Sequence, residues 1–313
     1  MSTVAPREVP LGGLRAMMVR RTLPNRERTT IGAWCFIDHY GPNRVTTAPV
    51  AEGAIDGMYV APHPHTGLQT VTWLFSGEVE HRDSIGSLQS IAPGEVNLMT
   101  AGRGISHSEV STVDDGWLHG VQLWTVLPNE HRHTAPFFEH HECPRVALDG
   151  TLVTVFVGEL GGAAAPTTTF SEMLGAELLI PGGSSVRIPA REDFEYGLLV
   201  DSGRASINGE DVPQHHLGYI VPGADELVIE TAEPTRAILL GGVPFAEPIV
   251  MWWNFIARSH DEIVEMREAW QNDVIAGGDA HGRFGSVDFP GAAIPAPEMP
   301  RVTLRARGGS RAG

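Results

Sequence analysis

The chain contains no lysine: its 22 positive side chains are all arginine, against 38 acidic ones. A net charge of −16 leaves no general basic surface, so direct nucleic-acid binding is not expected. The missing lysine itself reads as a coding bias and not as a functional device. Cysteine is almost absent too. Cys35 and Cys143 stand far apart in no metal or redox spacing, which excludes a thiolate metal site and a disulfide framework. Both read as buried thiols in a reducing compartment. No apolar run is long enough to cross a bilayer, and Met1 to Pro10 lacks the apolar centre of a secretory signal. A cytoplasmic protein without a membrane partner is expected. Neither a Ser/His/Asp nucleophile pattern nor a phosphate-cradling P-loop is visible, which argues against hydrolase and nucleotide-driven chemistry.

What the chain does have is turns. With 36 glycines, 23 prolines and 42% apolar residues in 313, it suits a turn-rich globular protein of two medium domains. Thr70 to Phe75 is a β-branched and aromatic run ending at Ser76-Gly77. Val96 to Met99 follows the Pro93-Gly94 turn, and Val121 to Leu127 alternates before Pro128. A second block of the same texture runs from Leu152 to Gly242, and Trp73-Leu74-Phe75-Ser76-Gly77 is echoed by Leu199-Val200-Asp201-Ser202-Gly203. The pattern predicts an all-β chain of two related barrels, residues 1–142 and 143–313. One short helix is expected at about 260–272: Ser259 caps it, Asp261 and Glu262 fill its first turn, and Ile263, Met266 and Trp270 give it an apolar face. The Pro/Gly-rich end beyond Gly277-Gly278, with Arg301, Arg305, Arg307 and Arg311, reads as a flexible tail.

Ten of the 14 histidines lie between His39 and His141. In His63-Pro64-His65 the two imidazoles leave the same face of an extended strand, since side chains alternate with period two. His107-Ser108-Glu109 repeats that geometry behind the Gly102-Arg103-Gly104 turn. On neighbouring strands of one barrel, His63, His65, His107 and Glu109 would converge on one ion. Three imidazoles and a carboxylate suit Fe, Zn, Ni, Mn or Cu, not Mg or Ca. Other residues have lesser expectations. Gln69 reads as a pocket residue beside the ligands, and His39 either pairs with Asp38 near the site or is structural. His119 is either near the pocket or a strand residue. His81 reads as a surface strand residue, and His131, His133, His140 and His141 as part of a loop. Trp252-Trp253 reads as packing, and Arg103 as fixing the turn before His107.

The segments Ala61 to Val71 and Met99 to Glu109 closely resemble the signature segments of the pirin family, and Gly57 followed by His63-x-His65 resembles the first cupin motif. So do Val19 to Pro24 with Phe36 to Pro42, and Leu118 to Trp124. A thinner likeness continues through Gly241-Gly242, Glu247-Pro248-Ile249 and the helix after Ser259. The resemblance implies two tandem cupin (double-stranded β-helix) barrels, with one metal ion in the first. It places the family's ligand set on His63, His65, His107 and Glu109, and implies iron(II) foremost among first-row ions. Aligning the repeat sets Pro189 and Arg191 opposite His63 and His65, and Val228 and Glu230 opposite His107 and Glu109. No metal is expected in the second barrel.

Two functions follow from the resemblance. One is an oxygenase of the quercetin 2,3-dioxygenase type, acting with O2 on a small aromatic, flavonol or enediol-like substrate, with Glu109 as the catalytic carboxylate. The other is an iron-dependent redox-sensing regulator that acts through a protein partner without turnover.

Overall fold

The computed structural model describes residues 2–11, 17–50, 54–112 and 115–308. It is a bicupin: among the described residues there are many strands, mostly short, one α-helix at His260–Ala269 and a π-helical turn at Trp270–Ile275. Arg311 lies outside the described residues. Each barrel combines a long sheet with a four-stranded one. In the first, Leu68–Ser76 lies between Glu95–Thr100 and Gly116–Val126, with Val71 opposite both Leu98 and Leu123. Its four-stranded sheet runs Tyr59–His65, Ile105–Ser111, Val79–Asp83, Leu88–Ile91. In the second, Thr235–Gly242 lies between Glu195–Ser202 and Met173–Ile180, and Val155, Leu178, Leu198, Ile229 and Leu239 fill its core.

The compact units do not follow the linear division into 1–142 and 143–313. One consists of Met1–Glu8, Arg20–Asp38 and His141–Phe245; the other of Val9–Val19, His39–His140 and Ala246–Gly313. Each end of the chain thus belongs with the other half. Backbone pairing is the reason. At the N-terminal end, Ser2, Thr3 and Val4 pair with Tyr219, Gly218 and Leu217. In the same unit the Trp34 indole donates to Leu174 O at 3.0 Å. At the other end, Ile256 N donates to Thr66 O at 3.1 Å and Ile294 N to Pro62 O at 2.8 Å. Gly67 marks how closely this segment approaches: at φ +70°, a Cβ there would lie 2.4 Å from Ile256 O.

The helix forms as its sequence dictates. Ser259 Oγ accepts from Glu262 N, Arg132 forks onto Glu262 at 2.6 and 3.0 Å, and Ile263 and Met266 are buried. Part of the stretch expected to be flexible, residues 284–297, is held by paired polar groups. Ser106 Oγ donates to Phe284 O, Arg267 Nε to Pro297 O, and Ala296 N to Gln271 Oε1. A cluster of Phe255, Ile263, Met266, Trp270 and Phe284 lies beneath it, with Trp252 and Trp253 packed against its edge. Cys35 is buried and Cys143 half-buried, thiols in both cases.

Trp270 is fully buried, meets Phe284 edge-on at 5.6 Å and donates Nε1–H to Ile294 O at 2.9 Å. Trp270→Ala is expected to cost about 3–5 kcal/mol of unfolding free energy in urea. It should also speed hydrogen exchange at the Ile294 and Ala296 amides. Unchanged exchange there would mean that the tail holds without this anchor.

Candidate metal centre

Three adjacent strands of the first barrel's small sheet carry the chemistry. Tyr59–His65 supplies His63 and His65, Ile105–Ser111 supplies His107 and Glu109, and Val79–Asp83 supplies His81 and Asp83. The register places His107 opposite His63 on one side and opposite Asp83 on the other, with Glu109 opposite His81. An irregularity between Val60 and His63 puts an extra residue on the outer strand, where Pro62 has no N–H for the ladder. Before His107, Gly102 takes φ +51°, and a Cβ there would lie 2.1 Å from Thr134 O. Only glycine fits that turn.

One ligand atom each from His63, His65 and His107 lies within 4.8 Å of the others. Their ring centroids are 4.4 to 4.9 Å apart. A second group with the same 4.8 Å limit joins Glu109 to His107 and His81. Glu109 therefore flanks the three-imidazole cluster through His107. Its Oε1 accepts from Thr72 Oγ1 at 3.1 Å, and Gln122 also hydrogen-bonds to it. His63 and Glu109 keep 7% and 6% of their surface open against 1% for His65 and His107.

Burial sets the protonation states. It lowers His63 to about 4 and holds His65 and His107 well below the ordinary imidazole value, helped by their mutual proximity. Neutral imidazoles with free lone pairs are what a metal ion requires. Burial raises Glu109 above the ordinary carboxylate value, against the pull of His81 and the hydrogen bonds from Thr72 and Gln122. His63 Nδ1 donates to Ala61 O at 3.0 Å and His65 Nδ1 to Asn254 O at 3.2 Å, which leaves each Nε2 unprotonated. His107 Nε2 is buried with no hydrogen-bond partner among the described residues. An orphaned buried nitrogen between two like donors fits a divalent first-row ion held by nitrogen.

Two expectations need correction, those for His81 and for His140 and His141, and the structure supplies partners for the other candidates. His81 is not a surface residue: it is 3% exposed, stacks on Phe138 at 4.4 Å and touches His107. Asp38 and His39 are neighbours on one strand and so face opposite ways. Arg21 grips Asp38 at 2.6 and 2.7 Å, while His39 stacks on His119. Gln69 is held by Thr100 and Thr125 at 2.9 and 3.2 Å. His140 and His141 lie on a strand, Phe137–Glu142, and not in a loop. Sequence reasoning also missed Asp83, Thr72, Gln122 and the Asn254 carbonyl.

The fold and this buried His/Glu cluster define a bicupin with its donors in the first barrel. Two family models match the chain, Pirin over residues 16–125 and the Pirin C-terminal cupin domain over residues 175–276. The chain belongs to the pirin family. It is 42% identical over 302 residues to a Pseudomonas aeruginosa protein provisionally named quercetin 2,3-dioxygenase, covering 96% of this chain and 91% of that one. A pirin-like protein of Caulobacter vibrioides is 34% identical over 288 residues, with 90% and 94% covered. The crystal structure of a quercetin 2,3-dioxygenase from Acinetobacter baumannii superimposes with a TM-score of 0.87 at 39% identity, over 97% of each chain.

The burial of three neutral imidazoles has a measurable consequence in the metal-free protein. Below pH 6.5 the unfolded chain takes up protons on these residues while the folded chain refuses them, down to about 4 for His63. Stability is therefore lost as pH falls, by roughly 1.4 kcal/mol per pH unit per group. Glu109 acts in the opposite sense, since its raised pKa lets the folded state keep that proton longer. Three groups outweigh one. Urea unfolding at stepped pH should show a net loss below pH 6.5 that is shallower in His107→Ala; equal slopes would contradict this account.

Proposed function

We propose that this chain is a metal-dependent oxygenase of the quercetin 2,3-dioxygenase type, acting with O2 on a flavonol or similar enediol-like substrate. The observation that carries the reading is the convergence of three buried imidazoles, one with an orphaned Nε2, beside the carboxylate of Glu109. Near full-length similarity to proteins named for that activity supports it. His63, His65, His107 and Glu109 would hold one divalent first-row ion, iron(II) foremost. The bound ion supplies Lewis acidity toward substrate oxygens and a redox partner for O2.

The chain's own residues account for the proton. Glu109 is buried, oriented by Thr72 and raised above the usual carboxylate value, so it is suited to accept a hydroxyl proton near neutral pH. A hydroxyl entering past the partly open His63 and Glu109 would meet that carboxylate. Trp124 lies edge-on to His65 at 5.0 Å and gives the cluster an apolar neighbour.

One equivalent of zinc(II), iron(II) or nickel(II) per chain is expected by elemental analysis. His63→Ala or His107→Ala should strip it with the circular dichroism spectrum intact, because barrel cores and not the ion hold the fold. Two equivalents, or an unfolded metal-free protein, would overturn this.

Glu109→Gln keeps the side-chain shape but removes the negative charge and the basic oxygen. Metal binding is expected to weaken yet persist on three imidazoles. Oxygen uptake with a flavonol, normalised to bound metal, should fall on the order of a hundredfold or more. Equal rates per metal would make Glu109 a spectator and favour a regulator without turnover.

A further inference from the structure

The three imidazoles of the cluster do not all obtain their tautomer in the same way. His63 and His65 each point Nδ1 at a backbone carbonyl, Ala61 O and Asn254 O. A carbonyl only accepts, so both Nδ1 atoms carry hydrogen and both Nε2 atoms keep their lone pairs. His107 stands on a strand flanked on both sides, by Tyr59–His65 and by Val79–Asp83, so its neighbours' carbonyls serve the ladders. Its Nδ1 instead meets another imidazole nitrogen, His81 Nδ1, at 3.3 Å. Two nitrogens at that distance share one hydrogen, and the contact by itself does not say which nitrogen carries it.

The direction is set one residue further out. His81 Nε2 lies 3.1 Å from Asp83 Oδ2. Burial raises the Asp83 carboxyl, but the hydrogen bonds from His81 and Ser87 outweigh it and hold the group below its ordinary value. An ionised carboxylate only accepts, so as a neutral imidazole His81 donates from Nε2 and accepts at Nδ1, and His107 Nδ1 donates. His107 Nε2 is then the nitrogen with the lone pair, and it is the buried nitrogen with no hydrogen-bond partner. His81 itself is fixed by its stacking on Phe138, with ring planes 20° apart.

We propose that Asp83 and His81 are positioning residues which fix His107 as its Nδ1–H tautomer and so turn its Nε2 lone pair toward the cluster. This rests on the reading of His107 as a metal ligand. Partners of this kind, one bond beyond a ligand, typically change metal affinity 10–100-fold when lost.

Asp83→Asn tests the direction of the chain while sparing the fold. Asp83 Oδ1 accepts from Ile85 N and Ser87 N, and an Asn Oδ1 keeps both bonds. The Asn Nδ2 then faces His81 Nε2 with hydrogens, which reverses the chain and places a hydrogen on His107 Nε2. Nitrogen-15 NMR of the metal-free protein, labelled at histidine, reads the tautomer without any metal. The expected result is Nδ1–H on His107 in the parent and Nε2–H in Asp83→Asn. Zinc(II) affinity, measured by competition with a chromophoric chelator, should fall 10–100-fold in Asp83→Asn and in His81→Leu. His81→Asn, whose Oδ1 restores an acceptor near the place of Nδ1, should recover to within a few-fold of the parent.

An unchanged tautomer and affinity in Asp83→Asn overturns the proposal, as do equal losses in His81→Leu and His81→Asn. His107→Ala separates the two readings. If it abolishes zinc(II) binding while Asp83→Asn does not, the metal centre stands and the positioning role falls. If His107→Ala also binds normally, the metal centre is wrong.

Discussion

Three imidazoles packed ring against ring inside a barrel are tolerable only if each ring N–H has a defined acceptor. A buried polar atom left without one costs on the order of 1–3 kcal/mol, and a half-satisfied network is worse than an apolar core. The first barrel meets this by directing every Nδ1 outward to an acceptor: two backbone carbonyls and one neighbouring imidazole. One ligand atom of each ring is thereby left within 4.8 Å of the others. The tautomers, the depressed basicity and the orphaned His107 nitrogen are consequences of this single arrangement.

The same requirement explains why the last part of the chain belongs with the first barrel. Asn254 provides the acceptor for His65, Ile294 N takes up Pro62 O at the irregular point of the outer strand, and Phe284 O receives the Ser106 hydroxyl next to His107. Each of the two strands that carry these side chains is thus supported by residues at least 178 positions away. The turn presenting Asn254 holds Trp253 at φ +52°, a region a bulky side chain adopts only under constraint. The strain sits next to the carbonyl that orients a donor, where a fixed backbone position matters most.

Much of this was legible in the sequence, and what was not has a physical reason. His63-x-His65 and His107-x-Glu109 were readable because period-two alternation places both members of each pair on one face. His81-x-Asp83 has the same spacing and was passed over. The intervening signal was present: Glu80 and Arg82 pair with each other at 2.6 Å on the outer face, which leaves His81 and Asp83 facing inward. The family's signature segments carried no mark there, and the Gly77 turn suggested exposure. The exchange of chain ends was hidden for a different reason. Tandem repeats are read linearly, whereas Ser2 to Val4 and the segment after Ala246 are placed by long-range pairing that no local pattern encodes. A Pro/Gly-rich stretch looks flexible until its hydrogen-bond partners are known, and those of residues 284 to 297 are distant in sequence.

The second barrel shows what the first gave up. Its small sheet has the same architecture, but Val186, Ile188, Ile207, Leu227 and Ile229 occupy the buried positions. Pro189 and Glu230 are exposed there, and Arg191 forms ion pairs with Asp193 and Glu172 at the surface. Those inward branched side chains each stabilise by roughly 1.5–3 kcal/mol through burial. In the first barrel the corresponding face holds His63, His65, His81, Asp83, His107 and Glu109, which contribute no such term and need a hydrogen-bonding framework besides. A local departure from apolar patterning of this size is expected at functional sites and must be offset elsewhere. Trp270, Phe255 and Phe284, fully or almost fully buried in the aromatic cluster of the chain's last segment, supply apolar burial to the same unit. One barrel is thus built for its own stability, and the other carries a polar interior that the rest of its unit holds in place.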